Sequence, residues 1–236
     1  MSVTEGHVQL PLAIPINESA NFENFIAADD FLIDSLRQLV NEKKFAVIYL
    51  WGASGSGKSH LLQAACQHLG ESSESATYLP LIELLQYPVS MLDGMQNMPV
   101  VCVDDLQAIS HNSQWQQGLF HLFNQVYERG GRLLFSATAS PRELGIDLQD
   151  LVSRLEWGPV FHLQSLQDEQ KIEVLQLRAR QRGLELDIEP AKYLLNRFPR
   201  DLNALFAVLD TLDTASLIKQ RRITIPFIRE VFSNQQ

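Results

Sequence analysis

"GASGSGKS", Gly52 to Ser59, follows the apolar run "FAVIYLW" (45–51) and precedes "SHLLQAACQHLG" (59–70). The octet satisfies G-x-x-x-x-G-K-[ST] at every fixed position. Its glycines let successive backbone N–H groups turn toward an anion without Cβ clashes. Lys58 supplies a point charge for β- and γ-phosphates, and the Ser59 hydroxyl is a Mg²⁺ ligand. The helix that follows aims its positive end at the same anion. A strand before the loop and a helix after it are the context this chemistry needs. Gly52, Ala53, Ser54, Gly55, Ser56, Gly57, Lys58, Ser59 and His60 are therefore the expected nucleotide-binding stretch.

Working outward, "VVCVDD" (100–105) is a second apolar run, and it ends in two carboxylates. A buried strand ending in Asp104 places an acid at the carboxyl edge of a sheet, where α/β proteins bind ligands. Asp104 is expected to hold Mg²⁺ through water, and Asp105 to orient or deprotonate an attacking water. "SATYL" (75–79), "RLLFSAT" (132–138) and "PVFHL" (159–163) supply three more strands. Helical stretches alternate with them. "WQQGLFHLFNQVYERGG" sets Trp115, Leu119, Leu122, Phe123 and Val126 on one face and stops at Gly130-Gly131. Earlier, Phe31, Ser35, Leu36 and Leu39 fall at helical spacing behind Asp29 and Asp30. This alternation predicts an α/β fold with a five-stranded parallel sheet and helices on both faces.

After about residue 165 the pattern is helical only. Ser165, with Asp168 three residues on, reads as an N-cap. "PAKYLLNRF" gives a short helix. Leu202, Leu205, Phe206, Leu209 and Leu212 mark a longer one, and "TIPFIREVF" a last one. The expected organisation is an extended tail (1–18), an α/β nucleotide-binding domain (19–165) and a small C-terminal helical lid domain (166–236).

Composition narrows the function classes. The chain of 236 residues has a net charge of −9; residues 1–165 carry 8 Lys and Arg against 18 Asp and Glu, and the rest 11 against 10. An acidic body repels phosphate backbones, which argues against direct nucleic-acid binding. No run approaches the roughly 18 apolar residues of a membrane helix. "MSVTEGHV" lacks the basic start of a secretory signal. Cys66 and Cys102 both lie in apolar segments and read as buried thiols, which fits a reducing cytoplasm.

The phosphate loop, the Asp-Asp strand end and the appended helices together resemble an AAA+ P-loop module. "NFENFIAADDF" is similar to the segment beside the adenine site in the bacterial replication initiator DnaA, and "VCVDDLQAIS" to its Walker B strand. "SRLEWG" resembles its arginine-finger motif, and "FPRDLNALF" its second sensor. The resemblance spans about residues 20–232. DnaA continues into a basic helix-turn-helix domain, whereas this chain stops at Gln236, and its N-terminal part is a short tail. On that basis it resembles the Hda family within the DnaA relatives.

The resemblance implies ADP or ATP with Mg²⁺ as cofactor. It implies two partners, DnaA itself and the β sliding clamp of DNA polymerase III, with DNA reached only through the clamp. A membrane is not an implied partner, and self-association is left open. The implied activity is stimulation of hydrolysis of DnaA-bound ATP, which prevents re-initiation. Arg154 would be the trans arginine finger, a class of residue worth on the order of 10³–10⁵ in rate. Arg200 would be the second sensor and reach the chain's own nucleotide. Phe25 would border the adenine, or else serve as a core aromatic. At the first sensor the chain departs from the initiator: Thr138 stands where an acid is expected, which points to weak or no turnover of its own ATP.

In the tail, "HVQLPL" matches the Leu-Pro-Leu end of a clamp-binding peptide, with His7 where glutamine is expected. "QLPLAI" places Gln9 correctly but fits less well at Ala13 and Ile14. Gln9, Leu10, Pro11 and Leu12 are the candidate clamp-binding residues, and both frames use Leu10 and Leu12.

Two other readings stand beside this one. A self-contained DnaA-like ATPase such as a helicase loader would show a basic groove with aromatic stacking platforms, and the acidic body shows neither. A P-loop metabolic kinase would need a phosphate clamp in its lid, for which Arg178, Arg180 and Arg182 are candidates.

Overall fold

The computed structural model describes residues 20–26, 30–71 and 74–233. Among them are five strands: β1 (Ala46–Gly52), β2 (Ala76–Pro80), β3 (Val100–Asp104), β4 (Arg132–Ala137) and β5 (Val160–Leu163). All pair in parallel, in the order β2-β3-β4-β1-β5. The helices are α1 (Asp30–Asn41), α2 (Lys58–Glu71), α3 (Leu81–Leu84), α4 (Ser113–Glu128), α5 (Gln149–Leu155), α6 (Asp168–Gln181), α7 (Ile188–Arg197), α8 (Leu202–Lys219) and α9 (Ile225–Ser233).

The sheet is covered on both faces, which is why its central strands are apolar throughout rather than alternating. Val47, Tyr49, Val101, Val103, Leu133 and Phe135 pack toward α3, α4 and α5. The intervening Ile48, Leu50, Cys102 and Leu134 pack toward α1 and α2. Both cysteines are buried free thiols. A third core, centred on Leu175, Leu194, Leu205, Leu209 and Phe227, joins α6 to α9.

Two local expectations are corrected. Leu36 and Leu39 are buried as expected, but Phe31 is 67% exposed and α1 also buries Leu32, Ile33 and Val40, so its inward face is shifted from the predicted one. The N-terminus of α6 is set by Gln167 and not by Ser165. The Gln170 side chain accepts from the Gln167 N–H at 2.9 Å, closing half of a capping box. Asp168 thus becomes the first helical residue rather than the third.

The topology gathers the carboxyl ends of β1, β3 and β4 at one edge. Leu50 and Trp51 stand beside Ser136 and Ala137. Strand β1 delivers the phosphate loop there, β3 delivers Asp104 and Asp105, and β4 delivers Thr138. The candidate site follows from that convergence.

Candidate nucleotide site

The loop from Ser54 to His60 forms one wall of a cleft of about 410 Å³. Helix α2 begins at Lys58, so its unpaired N–H groups face the loop. Lys58 is only 6% exposed. Its Nζ donates to the Gly52 and Ala53 carbonyls, each at 2.8 Å, and to Ser56 Oγ at 3.4 Å. Gly52 and Ala53 thus serve the site from beneath, without lining it. Burial pushes the Lys58 ammonium below its ordinary range, and the charges of Asp104 and Asp105 oppose that shift.

Two glycines in the loop are dictated by their neighbours. Gly57 has φ +92°, and a Cβ there would fall 2.4 Å from the Phe25 ring. Gly55 has φ +74°, and a Cβ would fall 2.9 Å from the Asp201 carboxylate. Phe25 therefore lies against the loop and lines the cleft, while also packing against the core beneath α2. Its ring is 5.9 Å from that of His60, whose Nε2 donates to the Asn21 carbonyl at 2.9 Å. Burial holds the His60 imidazole below its ordinary pKa; the Asn21 bond opposes this and the Arg178 charge adds to it.

The opposite wall carries Asp105, Gln107 and Thr138. Asp105 adopts φ +61°, a conformation that costs a non-glycine residue on the order of 1–3 kcal/mol. Its carboxyl pKa is raised by burial and by Asp104, against the lowering effects of a Gln107 hydrogen bond and the Lys58 charge. Asp104 is 1% exposed and does not line the cleft. Tyr78 donates its O–H to Asp104 Oδ2 at 2.5 Å, while the Ser136 hydroxyl and the Asp105 N–H donate to Oδ1.

A carboxylate offers about four lone-pair sites, so these three bonds leave room for one metal-bound water. Mg²⁺ takes few protein ligands and keeps several waters and phosphate oxygens. Ser59 on the cleft wall and Asp104 behind it fit that donor set. Among the described residues no cluster of three or more His, Cys, Asp or Glu side chains forms a separate metal site.

The helical part closes the cleft with Leu166, Val174, Leu202, Asn203 and Phe206. Asp201 caps α8 by accepting from the Asn203 and Ala204 N–H groups at 3.0 and 3.2 Å. The expected second sensor does not join this wall. Arg200 is absent from the lining; its guanidinium donates to Asp168 at 2.9 Å and its side chain is 58% exposed. Asp201, Leu202 and Asn203 are the residues the α8 N-terminus brings to the loop.

Arg154 also lies off the cleft. Near the end of α5 its Nε donates to Asn124 at 3.1 Å, and its guanidinium sits over the Trp157 ring at 4.2 Å and the Phe120 ring at 5.6 Å. Gln9, Leu10, Pro11 and Leu12 fall outside the described residues. Sequence reasoning missed Gln107 and most of the apolar lining. Phe206 was placed on the inward face of its helix, but nothing in its spacing separates core from cleft.

Comparison with known proteins agrees with this geometry. The model of the bacterial DnaA ATPase domain matches residues 16–162, more than half of the chain. That of the Hda lid domain matches residues 168–232. Among solved structures, domain III of the Thermotoga maritima replication initiation protein DnaA superposes with a TM-score of 0.78 at 20% identity, covering 93% of this chain and 98% of that one. AMPPCP-bound DnaA from Aquifex aeolicus gives 0.66 at 21% identity, over 83% and 65%. The Thermotoga maritima RuvB Holliday junction branch migration motor gives 0.67 at 14% identity, over 93% and 73%. No helix among the described residues is long and apolar enough to cross a membrane. The chain belongs to the bacterial DnaA ATPase-domain family and carries an Hda-type lid, which makes it a DnaA-related AAA+ replication regulator.

Proposed function

We propose that this chain binds an adenine nucleotide with Mg²⁺ in the cleft and acts in trans on DnaA, stimulating hydrolysis of DnaA-bound ATP. The observation that carries the reading is the placement of Arg154. It is held by Asn124 and Trp157 away from the chain's own cleft. An arginine so placed has no role toward its own nucleotide and is free to meet another subunit's γ-phosphate.

The chain's own nucleotide is structural in this reading. Lys58 and the loop N–H groups hold its phosphates, and Ser59, with Asp104 through water, holds the metal. The ion neutralises phosphate charge when bound. Phe25, Ile26, Val174 and Phe206 bring apolar surface suited to a flat base. Thr138 offers no charge at the first-sensor position, so turnover of the chain's own ATP is weak. The tail residues Gln9 to Leu12 supply the clamp tether, and the β sliding clamp brings Arg154 to DnaA on replicating DNA.

The deciding experiment measures hydrolysis of DnaA-bound ATP with this chain and clamp-loaded DNA. Omitting the clamp, or introducing Arg154→Ala or the pair Leu10→Ala and Leu12→Ala, should each remove the stimulation. An unchanged rate in any of these arms overturns the corresponding part of the reading.

A further inference from the structure

Helix α4 holds α5, the helix that carries Arg154, at both ends. Toward the end of α5, Asn124 accepts from Arg154 Nε. About two turns earlier on α4, Gln116 meets the start of α5. Gln116 is 1% exposed. A polar side chain this deep in an apolar layer is costly unless its amide is bonded.

The bonds are all made. Nε2 donates to the Ile109 carbonyl at 2.9 Å and to the Ser110 carbonyl at 2.8 Å, and Oε1 accepts from the Leu148 N–H at 3.1 Å. The orientation is forced, because a backbone carbonyl only accepts and a backbone N–H only donates. Ile109 and Ser110 end the turn that begins at Asp105, and Asp105 and Gln107 of that turn line the cleft. Leu148 stands at the start of α5; its carbonyl accepts from the Leu151 and Val152 N–H groups, and its side chain makes no cap. One buried amide therefore joins the wall of the chain's own cleft to the first turn of the arginine-bearing helix. A satisfied polar network away from water is stiff.

We infer that Gln116 is a positioning residue for the trans arginine. It sets where α5 starts, and Asn124 holds the Arg154 guanidinium near where α5 stops. Leu151, Val152 and Leu155 pack α5 on the core. Apolar contact is non-directional and does not fix a helix along its axis. The directional bond is the one from Leu148 to Gln116. The inference rests on the reading of Arg154 as the residue that meets DnaA-bound ATP.

The test measures hydrolysis of DnaA-bound ATP against concentration of the full chain, with ADP, Mg²⁺ and clamp-loaded DNA. Gln116→Leu removes the amide at similar volume. Leu148→Pro removes only the N–H, at a φ of −76° that proline adopts. A misplacement of about 1 Å costs on the order of 10²-fold in rate. Each variant should therefore lower the maximal rate about tenfold or more, leave the half-saturating concentration within about twofold, and bind ADP within about twofold of the unaltered chain. The double variant should fall no further than Gln116→Leu, because both changes break one bond. An unchanged maximal rate in either variant, losses that multiply, or a loss confined to the half-saturating concentration overturns the inference. So does loss of ADP binding, which would make Gln116 a support of the whole fold. Full stimulation by Arg154→Ala overturns the trans-arginine reading itself, and this inference with it.

Discussion

The guanidinium of Arg154 lies 4.2 Å from the centroid of the Trp157 ring. Trp157 is 47% exposed, yet its ring meets Phe45, Phe123 and Tyr127 nearly edge-on. The aromatic cluster fixes the ring, and the ring with Asn124 fixes the arginine. A planar guanidinium stacks flat on such a platform and keeps its fork for Asn124, whereas an ammonium is a strongly hydrated point charge that cannot stack. Arg154→Lys, which keeps the charge, should therefore lose nearly as much DnaA-ATP stimulation as Arg154→Ala. Trp157→Leu should lower stimulation about tenfold while nucleotide affinity of the chain itself stays unchanged, since Trp157 is remote from the cleft lining. Full stimulation by Arg154→Lys would show that the stack is irrelevant.

Gly57 and Phe25 give a separable test. Gly57→Ala meets two obstacles: a Cβ 2.4 Å from the Phe25 ring and a φ of +92°. The double variant with Phe25→Ala removes the first and keeps the second. Gly57→Ala should lower Tm by several degrees and weaken ADP binding, and adding Phe25→Ala should recover part of the Tm loss but not the binding. Additive losses would show that ring and loop are not in contact.

The contrast between these sites shows what a sequence can disclose. The sheet was legible because strands buried on both faces are apolar throughout, and the loop was legible because its glycines and lysine sit at fixed offsets. Asp105 stood out because it directly follows the end of β3, and Thr138, directly after β4, came from the resemblance. Arg200 did not fall where its motif suggested, because rotation at the start of α8 decides whether Arg200 or Asp201 meets the loop. Asp168, the first residue of α6, captures the arginine. Gln107 carried no spacing signal; its place in the cleft wall depends on a side chain crossing from one strand end to the next.

Tyr78 links the sheet to the site through Asp104. Its phenol oxygen is hydrogen-bonded by Gln63 of α2 and donates to Asp104. Burial, with the Asp104 charge, raises the phenol pKa far above its ordinary value, so it stays a donor at any workable pH. Tyr78→Phe leaves a buried carboxylate short of one donor, at a cost of about 1–3 kcal/mol. The variant should unfold at lower denaturant with an unchanged m-value. Ser136→Ala touches the same carboxylate, so the two losses should not add. Strict additivity would argue against a shared network.

His60 predicts a pH dependence with a definite sign. Its folded pKa is depressed, first by burial, below the ordinary value near 6.5. Above that value both folded and unfolded imidazoles are neutral and the group exerts no pH effect. As pH falls below about 6.5 the unfolded chain takes up a proton that the fold resists, so stability drops until pH passes the folded pKa. At pH 8, His60→Gln loses the bond to the Asn21 carbonyl and the packing on Phe25, for about 1 kcal/mol. The deficit should shrink on acidification, because only the unaltered chain carries the titrating ring. Urea unfolding of both proteins between pH 8 and 5 measures this, and a deficit constant across that range would place the imidazole in ordinary solvent rather than against the loop.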